Sequence, residues 1–134
     1  MPAAFTWTVR VYYEDTDAGG IVYYANYLKF FERARTEWLR AQGISQHDVI
    51  ERHGAMFVVK NASIDYHAPA KLDDAITLTV SIEKLGHVSV QFVQQAFCGA
   101  VLLASARVKV ACIDCAALKP CPLPDAVADK MRCA

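Results

Sequence analysis

Three acidic side chains near the N-terminus have residue types and spacing suited to chemistry. They are Glu14, Asp15 and Asp17, and they lead into the paired glycines Gly19 and Gly20. A carboxylate can attack a reactive carbonyl as a nucleophile, or act as a general base that activates a water molecule. Paired glycines let the backbone come close to a substrate. The cluster is therefore a candidate site for nucleophilic or acid–base chemistry.

The same spacing also has a purely structural interpretation. Aspartates followed by glycine commonly cap a turn by accepting hydrogen bonds from nearby backbone N–H groups. On spacing alone both interpretations of Asp17 stay open, whereas Glu14 and Asp15 are interpreted as solvated or capping residues.

A strand is predicted before this cluster and a long helix after it. Residues 5–14 alternate aromatic or β-branched residues with others, which indicates a strand with one buried face. From residue 27 to residue 41 apolar residues recur at spacings of three and four, which indicates an amphipathic helix. Asn26 is the predicted N-cap of this helix and Gly43 its C-terminal stop.

A short second helix is predicted over residues 45–53, and four more strands follow it. Their patterns cover residues 56–67, 75–85, 88–98 and 101–113. Residues 1–134 are expected to form a single domain, with residues 116–134 as a tail containing one helical turn. No helix crosses between these strands, so the sequence predicts an α+β fold: an antiparallel, curved sheet of about five strands around one long central helix, the hotdog arrangement.

Composition narrows the class of protein. The chain is 54% hydrophobic and carries fourteen basic and fourteen acidic residues, so it has no general positive field for nucleic acid. No stretch approaches the roughly 18 apolar residues of a membrane span, and the N-terminus lacks the pattern of a signal peptide. We therefore expect a cytoplasmic protein without a membrane span.

The five cysteines all lie in the last 37 residues, and their spacing raises the question of a metal. Cys112 and Cys115 form a C-x-x-C pair, with Cys121 and Cys133 beyond it. Four thiolates can hold zinc, but the second pair lacks the spacing of a zinc knuckle. Free thiols and no metal are the prediction.

Residues 12–40 read YYEDTDAGGIVYYANYLKFFERARTEWLR, and Tyr66-His67-Ala68-Pro69-Ala70 follows on a later strand. These segments resemble the 4-hydroxybenzoyl-CoA thioesterase family, and most of all its branch associated with the bacterial Tol-Pal system. The similarity covers roughly residues 6–115. It implies a hotdog fold, hydrolysis of an acyl-CoA thioester to free acid and CoA, and no cofactor.

Carried over residue by residue, the resemblance implies that Asp17 is the catalytic carboxylate. It also implies that the backbone N–H of Tyr24, or of a neighbour at the helix start, stabilises the oxyanion. A thioester has a good leaving group, so one carboxylate suffices without a triad. Many members of the Tol-Pal branch have His where this chain has Tyr24. The backbone amide is present with either residue, whereas an acid–base role of the branch's histidine does not carry over to this chain.

Residues on two other elements are expected to bind substrate, the first from its place on the long helix and the second group because the resemblance implies it. Glu32 on the long helix would line the acyl pocket, although an ion pair with Lys29 or Arg35 is an open alternative. Lys84, His87 and Ser89, in the turn between two predicted strands, would meet the pantetheine or phosphates of CoA. An ordinary solvent-exposed turn is the alternative there.

Two alternative functions stay open for this chain, and an oligomeric state is predicted. A hotdog dehydratase or hydratase would need a His partner that the matched signature lacks, and a non-catalytic acyl-CoA sensor or scaffold would not need Asp17. An open sheet edge predicts a homodimer or homotetramer with the active site between subunits. The resembled branch implies an association with cell-envelope or lipid-synthesis proteins.

Overall fold

The computed structural model describes residues 5–134, which form five strands and three helices. In chain order these are β1 (Phe5–Arg10), α1 (Asn26–Ala41), α2 (Gln46–His53), β2 (Ala55–Tyr66), β3 (Ala75–Leu85), β4 (Ser89–Cys98), β5 (Val101–Asp114) and α3 (Asp125–Arg132). No helix in this part of the chain is long and apolar enough to cross a membrane.

The five strands form one antiparallel sheet in the order β1-β3-β4-β5-β2. The strands from β3 to β5 are sequential neighbours, because short turns connect them. The first strand pairs with β3 from Phe5 opposite Val80 to Arg10 opposite Ala75. The long strand β2 pairs with β5 and leaves its other side as a free edge. The prediction of an α+β fold with an antiparallel sheet is confirmed.

The long helix α1 packs its apolar face against the sheet. Tyr27, Phe31, Ala34 and Trp38 are each at most 4% exposed, as their spacing predicts for one helix face. The sheet contributes alternate residues of β3 and β4, such as Leu78 and Phe92, to the same core. The helix that follows the Asp17 cluster is therefore packed on the sheet through its apolar face.

The first strand is shorter than predicted. It ends at Arg10, and residues 13–15 form a short 3₁₀ turn. The carboxylate of Asp15 accepts a hydrogen bond from the backbone N–H of Tyr12 at 2.8 Å. This local bond competes with strand pairing, so alternation alone placed the end of the strand too late.

The C-terminal segment packs more closely than the prediction of a tail with one helical turn suggests. It contains the two-turn helix α3, whose Val127, Ala128 and Met131 are buried. Lys130 donates to the carbonyl of Gly43 at 2.9 Å, which joins α3 to the loop after α1. That loop follows the predicted pattern, since Gly43 has the positive φ of a helix stop and Ser45 caps α2 by accepting from the N–H of Asp48.

Candidate active site

A small hairpin between β1 and α1 presents Asp17. Thr16 and Val22 form an antiparallel bridge, and the N–H of Asp17 donates to the carbonyl of Ile21 at 2.9 Å. The tip is closed by the N–H of Gly20, which donates to the carbonyl of Asp17 at 3.0 Å. Gly20 has φ +79°, a conformation that favours glycine. Asp17 therefore lies at the tip of a tight, hydrogen-bonded turn.

The carboxylate of Asp17 is exposed and has one fixed oxygen. Its Oδ1 accepts a hydrogen bond from the N–H of Gly19 at 2.8 Å. Within residues 5–134 its Oδ2 has no hydrogen-bond partner. The turn-capping contact predicted as the alternative is thus present, but it uses one oxygen and leaves the other free to react. A Cβ at position 19 would lie 3.2 Å from Oδ1, a tight contact that would displace the carboxylate by a few tenths of an ångström.

Asp15 and Asn26 join this hairpin to the start of α1. Asp15 is buried, and its carbonyl accepts hydrogen bonds from the N–H of Tyr23 at 2.9 Å and from Nδ2 of Asn26 at 2.8 Å. The capping role predicted for Asp15 is confirmed by its bond to Tyr12. The prediction that Asn26 is the N-cap was wrong: Ala25 occupies the cap position, and Asn26 is a buried first residue of the helix.

Two backbone N–H groups at the helix start are free to bind a ligand. Within the described chain, the N–H groups of Tyr24 and Ala25 have no hydrogen-bond acceptor, whereas that of Asn26 donates to Tyr23 at 2.9 Å. Tyr66, at the end of β2, donates its hydroxyl to the carbonyl of Tyr24 at 2.8 Å and so fixes this peptide segment. The start of α1 therefore offers preorganised donors close to the Asp17 hairpin.

Aromatic rings surround these donors. The ring centroids of Tyr23 and Tyr24 lie 4.9 Å apart. The ring centroid of Tyr66 lies 6.1 Å from that of Tyr24 and 5.6 Å from that of Tyr27. The neighbouring Tyr24 phenol raises the pKa of Tyr23, and the charge of Asp17 adds to the effect. Burial raises the pKa of Tyr27 to about 12. The phenols of Tyr23 and Tyr27 therefore stay neutral at physiological pH.

The amide of Asn26 supports the first mutational prediction. Asn26→Leu keeps the approximate size of the side chain but leaves the Asp15 carbonyl with one bond fewer. We expect a loss of about 1–3 kcal/mol in the free energy of unfolding, measured by urea denaturation. Thr16→Val is the matched control, because it removes an exposed hydrogen bond in the same loop, from Thr16 to the carbonyl of Tyr13. Equal stabilities of the two variants would contradict a positioning role for Asn26.

A groove runs along α1 from the helix start toward the edge of the sheet. It has a volume of about 470 Å³ and lies between α1 and strands β2 and β5, with Leu28, Glu32 and Val59 among its lining residues. Glu32 forms no ion pair with Lys29 or Arg35 in the described chain, so that alternative was wrong. Its carboxylate instead accepts a hydrogen bond from Thr36 at 3.1 Å.

A buried cation lies at the base of this groove. Arg35 is 8% exposed, and its Nη1 donates to Oε1 of Gln94 at 2.9 Å. Gln94 is fully buried and donates in turn to the carbonyl of Phe31 at 3.0 Å. Burial lowers the pKa of Arg35, which the nearby charge of Glu32 partly offsets. Sequence reasoning missed this network because an arginine on a helix is usually assigned to the solvated face.

The turn that carries Lys84, His87 and Ser89 lies far from Asp17 within one protomer. The Asp17 hairpin contacts residues 70–71, just before β3, whereas the turn follows the other end of that strand. Eleven residues of strand span roughly 35 Å. Lys84 and His87 are exposed, and Ser89 closes the turn by accepting from the N–H of Gly86 at 2.8 Å. One chain therefore does not bring the two predicted groups of site residues together.

The described residues contain no group of three or more His, Cys, Asp or Glu side chains arranged to hold a metal ion. Of the four cysteines singled out from the sequence, Cys112 and Cys121 lie close together, with their sulfur atoms 3.5 Å apart.

Comparison with protein families finds a match over most of the chain. Residues 11–131 match the model of the thioesterase-like superfamily. The acyl-CoA thioesterase YbgC of Haemophilus influenzae is 46% identical over 123 residues, which cover 92% of this chain and 90% of that protein.

Solved structures give the same result. A probable thioesterase from Bartonella henselae superposes with a TM-score of 0.86 at 35% identity, covering 91% of this chain and 100% of that one. A 1,4-dihydroxy-2-naphthoyl-CoA thioesterase from Synechocystis has a TM-score of 0.88 at 26% identity, covering 97% of this chain and 96% of that one.

Proposed function

The chain belongs to the thioesterase-like superfamily and is an acyl-CoA thioester hydrolase, and we propose that Asp17 and the N–H groups at the start of α1 carry out its reaction. The observation that carries this proposal is the pairing of one free carboxylate oxygen with two free backbone donors. The reaction consumes water and releases a free acid and CoA.

The carboxylate supplies the nucleophilic step. Gly19 holds Oδ1 of Asp17, so Oδ2 is left to attack the thioester carbonyl or to take a proton from an attacking water. Both routes expel the CoA thiolate, which is a good leaving group. When a water attacks, this expulsion gives the free acid directly, whereas attack by Asp17 gives an acyl-aspartyl anhydride that water then hydrolyses to the free acid and the regenerated carboxylate. Either route requires the ionised carboxylate, so the two share the same dependence on Asp17.

The helix start supplies the electrostatic step. As the carbonyl carbon becomes tetrahedral, its oxygen gains negative charge, and the N–H groups of Tyr24 and Ala25 can donate to it. Their donation costs little reorganisation because Tyr66 holds the carbonyl of Tyr24. The positive end of the α1 dipole acts in the same direction.

We place the acyl group in the groove along α1. Leu28 and Glu32 lie four residues apart on α1, so they form one stripe that begins near the helix start and leads about 6 Å along the helix. Glu32 and Leu28 line the groove, and Val59 of β2 faces them. An acyl chain that leaves the oxyanion site along this stripe would contact Leu28 of α1 on one side and apolar side chains of the sheet on the other, while charged residues of α1 line the rest of the helix side.

The CoA nucleotide requires a second protomer in this proposal. Lys84, His87 and Ser89 lie at the opposite end of β3 from Asp17, so these residues can meet the same CoA only if a partner subunit brings them there. The free edge of β2 supports such an assembly: residues 59–63 of this strand are all exposed, and pairing two edges would continue the sheet.

A substitution at this edge tests the assembly. We expect wild-type protein to sediment as a dimer or tetramer, and Val59→Lys to shift it toward monomer, because Val59 lies on the free strand and is 53% exposed. Val101→Lys is the matched control, since Val101 is 54% exposed but lies on β5. A wild-type monomer that hydrolyses acyl-CoA at assay concentration would refute the assembly.

An acyl-CoA panel tests the function itself. Short, medium and long acyl chains and aromatic acyl groups would be compared, with CoA release followed by a thiol reagent against a blank for the cysteines of the protein. We expect turnover of at least one class and strong differences between classes, because the shape of the groove selects the acyl group. Binding without hydrolysis of any member would favour the sensor function. The cytoplasmic location and the association with envelope proteins stay predictions.

A further inference from the structure

Two of the cysteines face each other at the end of the sheet remote from Asp17. The Sγ atoms of Cys112 and Cys121 lie 3.5 Å apart. The N–H of Cys121 donates to the carbonyl of Cys112 at 2.9 Å, and the neighbouring residues Ile113 and Pro120 form an antiparallel bridge. The two cysteines are therefore directly opposite each other in a short antiparallel ladder.

This arrangement satisfies the backbone requirement of a disulfide. Opposite residues in an antiparallel pair have Cα atoms about 4.5–5.5 Å apart, inside the range of about 4.4–6.8 Å that disulfides join. The sulfur atoms need only approach from 3.5 Å to about 2.05 Å, which side-chain rotation can supply. The sequence motif instead pairs Cys112 with Cys115, but no contact joins those two sulfur atoms in the described chain.

We propose that Cys112 and Cys121 form an intrachain disulfide when the protein meets a peroxide. Cys121 is the half-buried, accessible partner, and its thiolate attacks the O–O bond to give a sulfenic acid and water. Cys112 then attacks the sulfenic sulfur, the S–S bond forms, and the S–O bond breaks to release a second water. The two thiols lose two electrons, which reduce one peroxide to two waters.

The burial of Cys112 determines which of the two thiols reacts first. Cys112 is fully buried, and this burial raises the pKa of its thiol to about 12, so it is a poor first nucleophile. Once Cys121 is oxidised, however, Cys112 is the sulfur already in contact with it. Proximity then compensates for low thiolate content.

The disulfide would fasten the C-terminal segment to β5. Beyond Cys121 the chain is held by the N–H of Leu123, which donates to the carbonyl of His87 at 2.9 Å, and by the buried side chains of α3. A covalent link in this short loop restricts the unfolded chain. We expect the midpoint of thermal unfolding to rise by about 5–10 °C on oxidation and to fall back on reduction.

The test treats the full chain with hydrogen peroxide and maps its peptides without reduction. We expect the loss of two thiols and one linked pair containing Cys112 and Cys121, with the rise in unfolding midpoint. Cys121→Ser should abolish both changes, whereas Cys115→Ser and Cys133→Ser, the matched controls, should retain them. A Cys112–Cys115 link, a link between two chains, oxidation of Cys121 beyond sulfenic acid, or no reaction would each overturn the proposal. None of these outcomes depends on thioesterase activity.

Discussion

Asp17→Asn should lower kcat by about a hundredfold or more while leaving the fold and the binding of acyl-CoA largely intact. The amide keeps the size of the side chain and can still accept the hydrogen bond from Gly19, so the hairpin should survive. It cannot attack a carbonyl or take a proton from water, so the chemical step is lost. Hydrolysis would be measured with the best acyl-CoA of the panel, and binding by calorimetry.

Two further variants make this result specific. Glu14→Gln removes a neighbouring exposed carboxylate and should leave turnover unchanged. Tyr24→Phe should cost at most a few-fold, because the proposed oxyanion donor is a backbone N–H that the substitution retains. Near-normal turnover by Asp17→Asn would show the assignment of the carboxylate to be wrong, and equal losses in all three variants would point to a general disturbance of the loop.

The sequence predicted the elements whose patterns depend on burial alone. Periodicity identified the face of α1 that contains Phe31 and Trp38, and the alternation in β3 identified Ile76 and Leu78, because each buried residue repeats with the period of its element. Capping chemistry correctly predicted Gly43 as the C-terminal stop of α1. These are local rules, and they hold where tertiary contacts agree with them.

The errors arose where a polar side chain has a distant partner. Asn26 looked like an N-cap because nothing in its local sequence reveals the carbonyl of Asp15 eleven residues earlier. The partner of Arg35 was missed because Gln94 is 59 positions away. A signal was available in the second case: Gln94 lies at the same alternate positions of β4 as the buried Phe92 and Ala96, so its side chain had to face the core.

The candidate site divides in the same way. Its reactive part is continuous in sequence from Asp15 to Asn26, so the sequence alone predicted that Asp17 and the helix start lie next to each other. Its binding part comes from separate elements, and sequence spacing gives no distance between them. That is why the turn with Lys84 could be proposed as a CoA contact although it lies roughly 35 Å along β3 from Asp17.

The largest effect on stability is expected from the buried pair of Arg35 and Gln94. Gln94→Leu removes the side-chain acceptor that the guanidinium of Arg35 has among residues 5–134, and it leaves the carbonyl of Phe31 without the donor it receives at 3.0 Å. We expect a loss of about 3–5 kcal/mol in the free energy of unfolding, the scale at which a buried charge loses its partner. Gln95→Leu is the matched control: it alters the neighbouring residue on the opposite face of β4 and should cost less than about 0.5 kcal/mol.

The double variant Arg35→Met with Gln94→Leu separates the two causes of this loss. Removing both polar groups leaves an apolar pair of similar volume, so we expect it to recover most of the stability that Gln94→Leu loses. Urea denaturation of the wild type, both single variants and the double variant gives a coupling energy that a purely steric effect would not produce. Additive losses would mean that Gln94 acts by packing alone. Recovery would show that Gln94 stabilises the fold because it supplies a hydrogen-bond partner to the buried guanidinium, and that the fold does not require the charge of Arg35.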